Sequence, residues 1–395
     1  MADIDIAIVG GGVAGLLLAA SLAKQQHRVV LLDKGPERPT IPEDIALVLN
    51  AKSQQILTKM GLASIYRDSY PLERCIVSAR RHWGRMRFSA QEAALPQLGG
   101  VIPLADCYYR LHDQVTQASS VEWITEVEVT DIQQADGASL IKYKQGEQVQ
   151  QLAARVVLAC DGAQSFCRHQ FGLSVESDPI AYEAAILSVS LRQDANNTAY
   201  QRFLCPGSLA YIPTSAQEAR LIMTLPATQI QARVSLSPSA LMRLLQPELG
   251  QLAYTIAKPL GPLRTYPVAM QRATQLATSQ GVVLGAAATH ILPITAQGLN
   301  LAIRDMDMLH QMLQHGGDNW WGIAQAHEYN QRRLPDHRAH YQQIQRLLRV
   351  FHDRGGLISA IRSIGLGTAG SSRSMSRLLA LHGAGMQVSP LDIGW

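Results

Sequence analysis

The sequence predicts an α/β fold: a Rossmann-type parallel sheet, interrupted by an antiparallel sheet and followed by a helical C-terminal region. Three observations lead there. An apolar strand over 4–9 runs into Gly10-Gly11-Gly12-Val13-Ala14-Gly15 and then into an uncharged helical stretch. A second apolar strand, 28–33, ends in Asp33, 23 residues after Gly10. From 182 to 226 helical periodicity gives way to strands separated by polar turns.

Composition sets the bounds. The 395 residues allow two to three domains with a sizeable core. With 47% hydrophobic and 17% charged residues the chain is not disordered, fibrous or a disulfide scaffold. A net charge of +4 is too small for the footprint of a nucleic-acid binder. Five scattered cysteines with no CxxC pair indicate neither zinc nor disulfides, and a reducing cytoplasm fits them. The uncharged run 6–23 is as long as a membrane span, but consecutive glycines make a poor helix. Asp3 and Asp5 stand where a signal peptide would carry positive charge. Strand, turn and helix is the better reading of this run.

In chain order, residues 16–24 form a buried helix with small residues at Ala19, Ala20 and Ala23. Helices follow over 53–60 and from 104 to 115. Strands are expected at 184–191, 209–213 and 220–226, and helix again from 298. No internal repeat is visible. The nucleotide-binding domain comprises 1–75, 101–180 and 266–330, and the inserted domain 76–100 and 181–265. Residues 331–395 are mostly helical, with a Gly/Ser-rich stretch at 365–376. Trp320-Trp321 reads as a packing cluster at a helix start.

Three motifs carry chemistry. In the first, Gly10 permits a tight turn, Gly12 lets the backbone approach a pyrophosphate, and Gly15 brings helix and strand together. The free N–H groups of the helix start favour phosphate, and Asp33 is placed to accept from a ribose. The second is the apolar strand from Arg155 running into Asp161-Gly162-Ala163, which alone signals only a turn. The third runs from Gly281 through Gly285-Ala286-Ala287, His290 and Pro293 to Gly298-Leu299-Asn300 and Asp305. Alone, it is equally an ordinary strand–loop–helix crossover.

In order and spacing the three motifs resemble those of the flavoprotein aromatic hydroxylases of p-hydroxybenzoate hydroxylase type, and within them the ubiquinone-biosynthesis hydroxylases. Asn50 to Gly61, Gln201-Arg202-Phe203, Gly207 to Pro213, Tyr266-Pro267-Val268 and Leu357 to Leu366 support it over essentially the full length. The resemblance implies an FAD-binding Rossmann-type domain with an inserted antiparallel substrate sheet. It implies FAD contacts at Gly10, Gly12, Val13, Ala14, Gly15, Asp33, Lys34, Arg110, Asp161, Gly162, Ala286, Gly298, Leu299 and Asn300. It implies NAD(P)H as a transient reductant, O2 as co-substrate, and hydroxylation of a prenylated phenol through a flavin C4a-hydroperoxide, with no metal. A biosynthetic complex is compatible with it. The cofactor carries that chemistry, so no catalytic triad is required. The flavin-facing candidates are His290, Pro293 and Tyr211, and Tyr266 is a candidate for the substrate pocket.

The chain departs from that pattern at several positions. Ala286 stands where the family carries the aspartate that binds the ribityl chain, Ile45 where it carries an arginine, and Leu104 where it carries a polar residue. Ala296-Gln297-Gly298 replaces Gly-Gln-Gly. A lost neutral hydrogen bond is worth about 1 kcal/mol and a charged one about 1.5–3 kcal/mol. Two other readings follow: a hydroxylase of a small soluble aromatic, and a non-catalytic relative with an accessory role. Finally, 331–395 holds nine arginines against Asp336, Asp353 and Asp392, with Ile344, Leu347, Leu348 and Phe351 at helical spacing. That pattern suits either a helix packed on the core or peripheral contact with an anionic inner-membrane surface.

Overall fold

The computed structural model describes residues 4–386 except 26, 81–84, 136, 179–180, 205, 295, 318–319 and 353–372. The first sheet has a parallel core in the order β21-β11-β1-β2-β8. These strands are β1 (Ile4–Val9), β2 (Val29–Leu32), β8 (Val121–Ile124), β11 (Gln148–Ala159) and β21 (Gly281–Val283). Ile6, Ala7 and Ile8 are wholly buried, as a strand covered on both faces requires. The hairpin of β9 (Val127–Ala135) and β10 (Ala138–Gln145) extends β11, and β20 (Ala277–Thr278) caps the other edge, all antiparallel. Helices α1 (Val13–Ala23), α2 (Ala51–Lys59), α3 (Leu104–Thr116) and the short α4 (Phe166–Gln170) belong to this domain. α1 packs on α3.

The inserted sheet runs β17-β13-β16-β15-β14-β5-β6, with β18 also on β13. Its strands are β5 (Arg74–Ala79), β6 (Arg85–Ser89), β13 (Tyr182–Leu191), β14 (Thr198–Phe203), β15 (Ser208–Pro213), β16 (Glu218–Pro226), β17 (Ile256–Pro259) and β18 (Arg264–Val268). The expected strands are all present, but the boundaries shift: β5 begins at Arg74 and β18 continues to Val268. One face packs Leu187, Leu209, Tyr211, Leu221 and Met223 against the helical excursion α5 (Ala227–Val234), α6 (Pro238–Leu249) and α7 (Leu252–Thr255). The other face looks toward the parallel-sheet domain. Two three-stranded sheets join the domains: β3 (Ala46–Asn50), β7 (Gly99–Pro103) and β4 (Tyr70–Leu72), then β12 (Val175–Ser177), β19 (Gln271–Ala273) and β22 (Thr289–His290).

Helices α8 (Gly298–Gly316), α9 (Ile323–His352) and α10 (Arg373–Gly383) complete the chain. α9 starts eight residues before the expected helical region at 331, immediately after buried Trp320, while Trp321 donates to Thr278 O at 3.2 Å. Of the two readings of the C-terminal helix, packing on the core accounts for Ile344, which is buried with Tyr341. Leu347 and Leu348 are partly buried against the same cluster as Met270, Leu292 and Ile294. The side chain of Phe351, the resembling segment 357–366 and most of the Gly/Ser-rich stretch lie outside the described residues. Among the described residues, no helix is long and apolar enough to cross a membrane.

Two buried polar networks bind α8 in place. Asp305 is fully buried and accepts from Arg333 Nε at 2.7 Å and His337 Nε2 at 3.1 Å. His337 Nδ1 lies 2.7 Å from Thr289 Oγ1, which ties α9 to the third motif. Burial opposes the Asp305 charge, but His337 and Arg333 outweigh it and hold the carboxyl below its usual range. In the second network, Gln25 Nε2 donates to His310 Nδ1 at 2.7 Å, and His310 Nε2 faces Ser21 Oγ at 2.8 Å. The Ser21 proton goes to Leu18 O, so Nε2–H donates to Ser21 and the ring is neutral.

Burial lowers His310 from 6.5 to about 4. An unfolded chain therefore takes up this proton below pH 6.5, while the folded chain resists until about pH 4. Stability contributed by this site falls across that window as pH drops, by about 3 kcal/mol in all. Urea unfolding at pH 7 and pH 4.5 checks this: His310→Gln should flatten the wild-type slope. An unchanged slope would assign the acid sensitivity to other groups.

Candidate functional site

The three motifs meet where β1, β11 and β21 end side by side. The register pairs Val9 with Ala159 and Ala159 with Val283, so the loops that follow leave the sheet together. The approach is close enough to dictate residue type. Gly10 has φ +105°, and a Cβ there would lie 2.5 Å from Cys160 O. A Cβ on Gly15 would collide with Gly10 O. Gly285 brings the third loop against α1, where its Cβ would meet that of Ala14 at 3.2 Å.

Around this junction the structure leaves room and donors. Gly12, the N-cap of α1, faces open space, and no side chain caps the helix. Gly298 opens α8 in the same way, again uncapped. Each helix start therefore presents N–H groups to open space, the electrostatic arrangement that anions favour. Asp33 ends β2 with its carboxylate against Gly11, where a Cβ would lie 2.7 Å from Oδ2. The Tyr108 hydroxyl on α3 is buried without a partner among the described residues. Burial first, then the Asp33 charge, pushes this phenol up to about 12, so it stays a donor at neutral pH. Sequence reasoning missed Tyr108, whose helix position gives no local signal.

Beyond Gly298 lies an apolar cavity of about 300 Å³. β5, β6 and β14 supply Val77, Met86, Phe88 and Phe203, and the loop before α8 supplies Ile294, Ala296 and Gln297. α10 closes it with Leu379, His382 and Gly383, its end held by a bond from Lys52 N to Ala384 O at 3.0 Å. Three buried amide atoms on the cavity lining lack partners among the described residues: Asn50 Nδ2, Gln297 Oε1 and Gln201 Nε2. Asn300 fastens the loop, accepting from Asn50 N at 2.9 Å and donating to Val48 O at 2.8 Å and Ala296 O at 2.7 Å. Ala296 sits at φ +52°, where an L side chain costs roughly 1–2 kcal/mol, which explains a preference for glycine there. His290 presents a buried, unpartnered Nδ1, and burial lowers its pKa so the ring is neutral.

Several expected contacts are otherwise engaged. Tyr211 points to the opposite face of the sheet, buried in the α5–α6 core and stacked edge-on to Tyr200. It does not face the cavity, because residues 209 and 211 share the face opposite to Ile212, which lines it. Arg110 pairs with Asp68 at 2.8 Å and reaches the carbonyls of Ser64 and Ile65, bracing α3. The Asp161 carboxylate caps α4, accepting from Ser165 Oγ at 2.5 Å and Cys167 N at 2.9 Å. Arg168, two residues into that helix, donates to Ala287 O at 2.8 Å and so joins the second and third motifs. Tyr266 shares the inward face but donates to Asp44 at 2.8 Å. Ile45 and Leu104 are neighbours, bonded through Leu104 N and Ile45 O at 2.9 Å, so two of the departures lie side by side. Pro293 lies half-buried in the loop before α8, and Val13, Ala14 and Leu299 open the two uncapped helices.

The open cradle, the two uncapped helix starts and the orphaned amides fit a flavin dinucleotide. Residues 3–343 match the family described as "FAD binding domain", and the chain belongs to that family of FAD-binding flavoproteins. Its relatives include ubiquinone hydroxylases and squalene epoxidases. It is 26% identical to 3-demethoxyubiquinol 3-hydroxylase of Escherichia coli strain K12, across 84% of this chain and 86% of the relative. It is 23% identical to ubiquinone hydroxylase UbiL of Rhodospirillum rubrum, across 96% and 89%. The fold matches p-nitrophenol 4-monooxygenase PnpA of Pseudomonas putida DLL-E4 with a TM-score of 0.78 at 18% identity, covering 98% of this chain and all of that one.

Two substitutions test the placement of FAD. Gly12→Val should obstruct the pyrophosphate and weaken FAD at least about tenfold, equal to 1.4 kcal/mol, in a fluorescence titration. Unchanged affinity would place the phosphates elsewhere. Ala286→Asp should tighten FAD by about tenfold through one recovered hydrogen bond. No gain would show that this loop does not reach the ribityl chain.

Proposed function

We propose that the protein is an FAD-dependent monooxygenase that hydroxylates a prenylated phenol of the ubiquinone-precursor type, using NAD(P)H and O2. The observation that carries this reading is the cavity: apolar over most of its wall, closed by α10, and lined by partnerless amides. Bound FAD supplies the redox chemistry, accepting electrons from the nicotinamide and activating O2. The chain's own residues do the rest.

Gly10 to Gly15, Asp33 and the start of α8 hold the cofactor. Asn50 Nδ2 and Gln297 Oε1 offer a donor and an acceptor to the edge of its ring system. Gln201 Nε2, on the inward face of β14, is the donor that orients the phenol oxygen. Val77, Met86, Phe88 and Phe203 receive the prenyl chain and exclude water, which protects a reactive oxygen species from wasteful release. Arg74, Gln343 and His382 also border the cavity, but a small charged aromatic acid would leave the apolar wall of Val77, Met86, Phe88 and Phe203 unfilled, which disfavours the reading as a hydroxylase of a soluble aromatic.

The test is product formation by the purified, FAD-loaded protein with a short-chain 2-prenylphenol and with p-hydroxybenzoate. Only the prenylated phenol should gain an oxygen. Val77→Trp, which overfills the cavity, should lower kcat/KM at least about tenfold while FAD absorbance is retained, since overpacking costs about 1–3 kcal/mol. Equal turnover of both phenols would refute the substrate class. Bound FAD with no product from either would support the accessory role.

A further inference from the structure

The outer face of the inserted sheet, turned away from the cofactor loops, carries a recess that the proposed reaction does not use. Register builds its floor. Arg85 pairs with Ser78, which pairs with Arg202, and Arg87 pairs with Ile76, which pairs with Tyr200. Residues directly opposite across strands share a face, so both rows point outward together. The turn from Glu248 to Thr255 walls the floor to enclose about 340 Å³.

The charges in this recess are unbalanced. Glu248 is held by Arg80 at 3.0 Å and by Arg202 at 3.2 Å, so its charge is already matched. Arg85 and Arg87 are exposed, and among the described residues neither meets a carboxylate within ion-pair distance. They stand two residues apart on one strand, about 7 Å between Cα atoms, close enough to repel. The sequence from 80 to 87 holds four arginines and a histidine and no acid. Charge on an edge strand can serve simply to block pairing with another sheet. That role needs neither a walled recess nor an apolar floor of Ile76 and Tyr200.

Two guanidinium groups beside one concave, part-apolar surface suit a tetrahedral dianion attached to an organic body. We propose that this recess binds a phosphate-bearing ligand through Arg85 and Arg87, separately from the cofactor site. The same chemistry is offered by a soluble diphosphate and by the headgroups of an anionic membrane.

The experiment uses the FAD-saturated full chain, so the glycine-rich loop is occupied. Inorganic pyrophosphate is titrated calorimetrically, and phosphatidylglycerol vesicles are co-sedimented at low and high salt. Wild type should bind at least one probe, more weakly at high salt. The double variant Arg85→Gln/Arg87→Gln should lose tenfold or more, with unchanged circular dichroism, while Arg338→Gln on α9 should bind as wild type. Loss toward vesicles alone identifies a membrane headgroup, and loss toward pyrophosphate identifies a soluble diphosphate. The proposal is overturned if wild type binds neither probe, or if the double variant binds as tightly as wild type.

Discussion

Everything at the site depends on one close approach. The backbone of the first motif passes so near Cys160 O that only a glycine fits at position 10, and α1 sits so near that turn that only a glycine fits at 15. This contact lets β1 and β11 end together and aims the start of α1 at the space above them. A helix aimed this way presents N–H donors that no side chain of the protein claims. The third motif joins by the same means, through Gly285 against Ala14. The cradle is thus built chiefly from backbone, and it exists with Ala286, Ile45 and Leu104 at the positions where the family resemblance implies polar side chains. Charged side chains add affinity to such a cradle, but the cradle exists without them.

The polar side chains that the site does own are mostly spent on geometry. Asn300 ties the loop before α8 to β3, Arg168 ties the second motif to the third, and Asp161 caps the short helix carrying Arg168. Deeper in, Asp305, Arg333, His337 and Thr289 form a buried chain from α8 through α9 to β22. Removing one partner from such a pair strands a charge in a poorly solvated place, which typically costs about 3–5 kcal/mol. The network therefore specifies where α9 docks, and with it where Gln343 and Leu347 meet the cavity. α10 then closes the cavity from the other side.

The inserted sheet divides its labour by strand alternation. On one face lie Val77, Met86, Phe88, Gln201 and Phe203, which line the cavity. On the other lie Tyr200, Arg202, Leu209 and Tyr211, which build the α5–α6 core and the basic recess. Neighbours in sequence serve different sites because successive side chains on a strand point to opposite faces. On α9 a pattern that suits a lipid surface also suits a protein core, and Ile344 is buried in that core with Leu347 and Leu348 partly buried beside it.

What the sequence determined by itself was local. The turn after β1, the helix after the turn, the acid at the end of β2 and the strands of the inserted sheet all rest on residues within a few positions of one another. Short-range sterics and periodicity decide such features, so they were legible without the fold. Only the tertiary structure decided where the polar groups go. His310 finds Ser21 across 289 residues and Asn300 finds Asn50 across 250. Arg110 lies on the expected helix yet turns to Asp68, and Tyr211 lies on the expected strand yet faces away from the cavity. Tyr108 and the recess of Arg85 and Arg87 left no mark that local pattern could detect. The reason is physical: a buried side chain is satisfied by whatever partner packing brings to it, and that partner is set by how the sheets and helices meet.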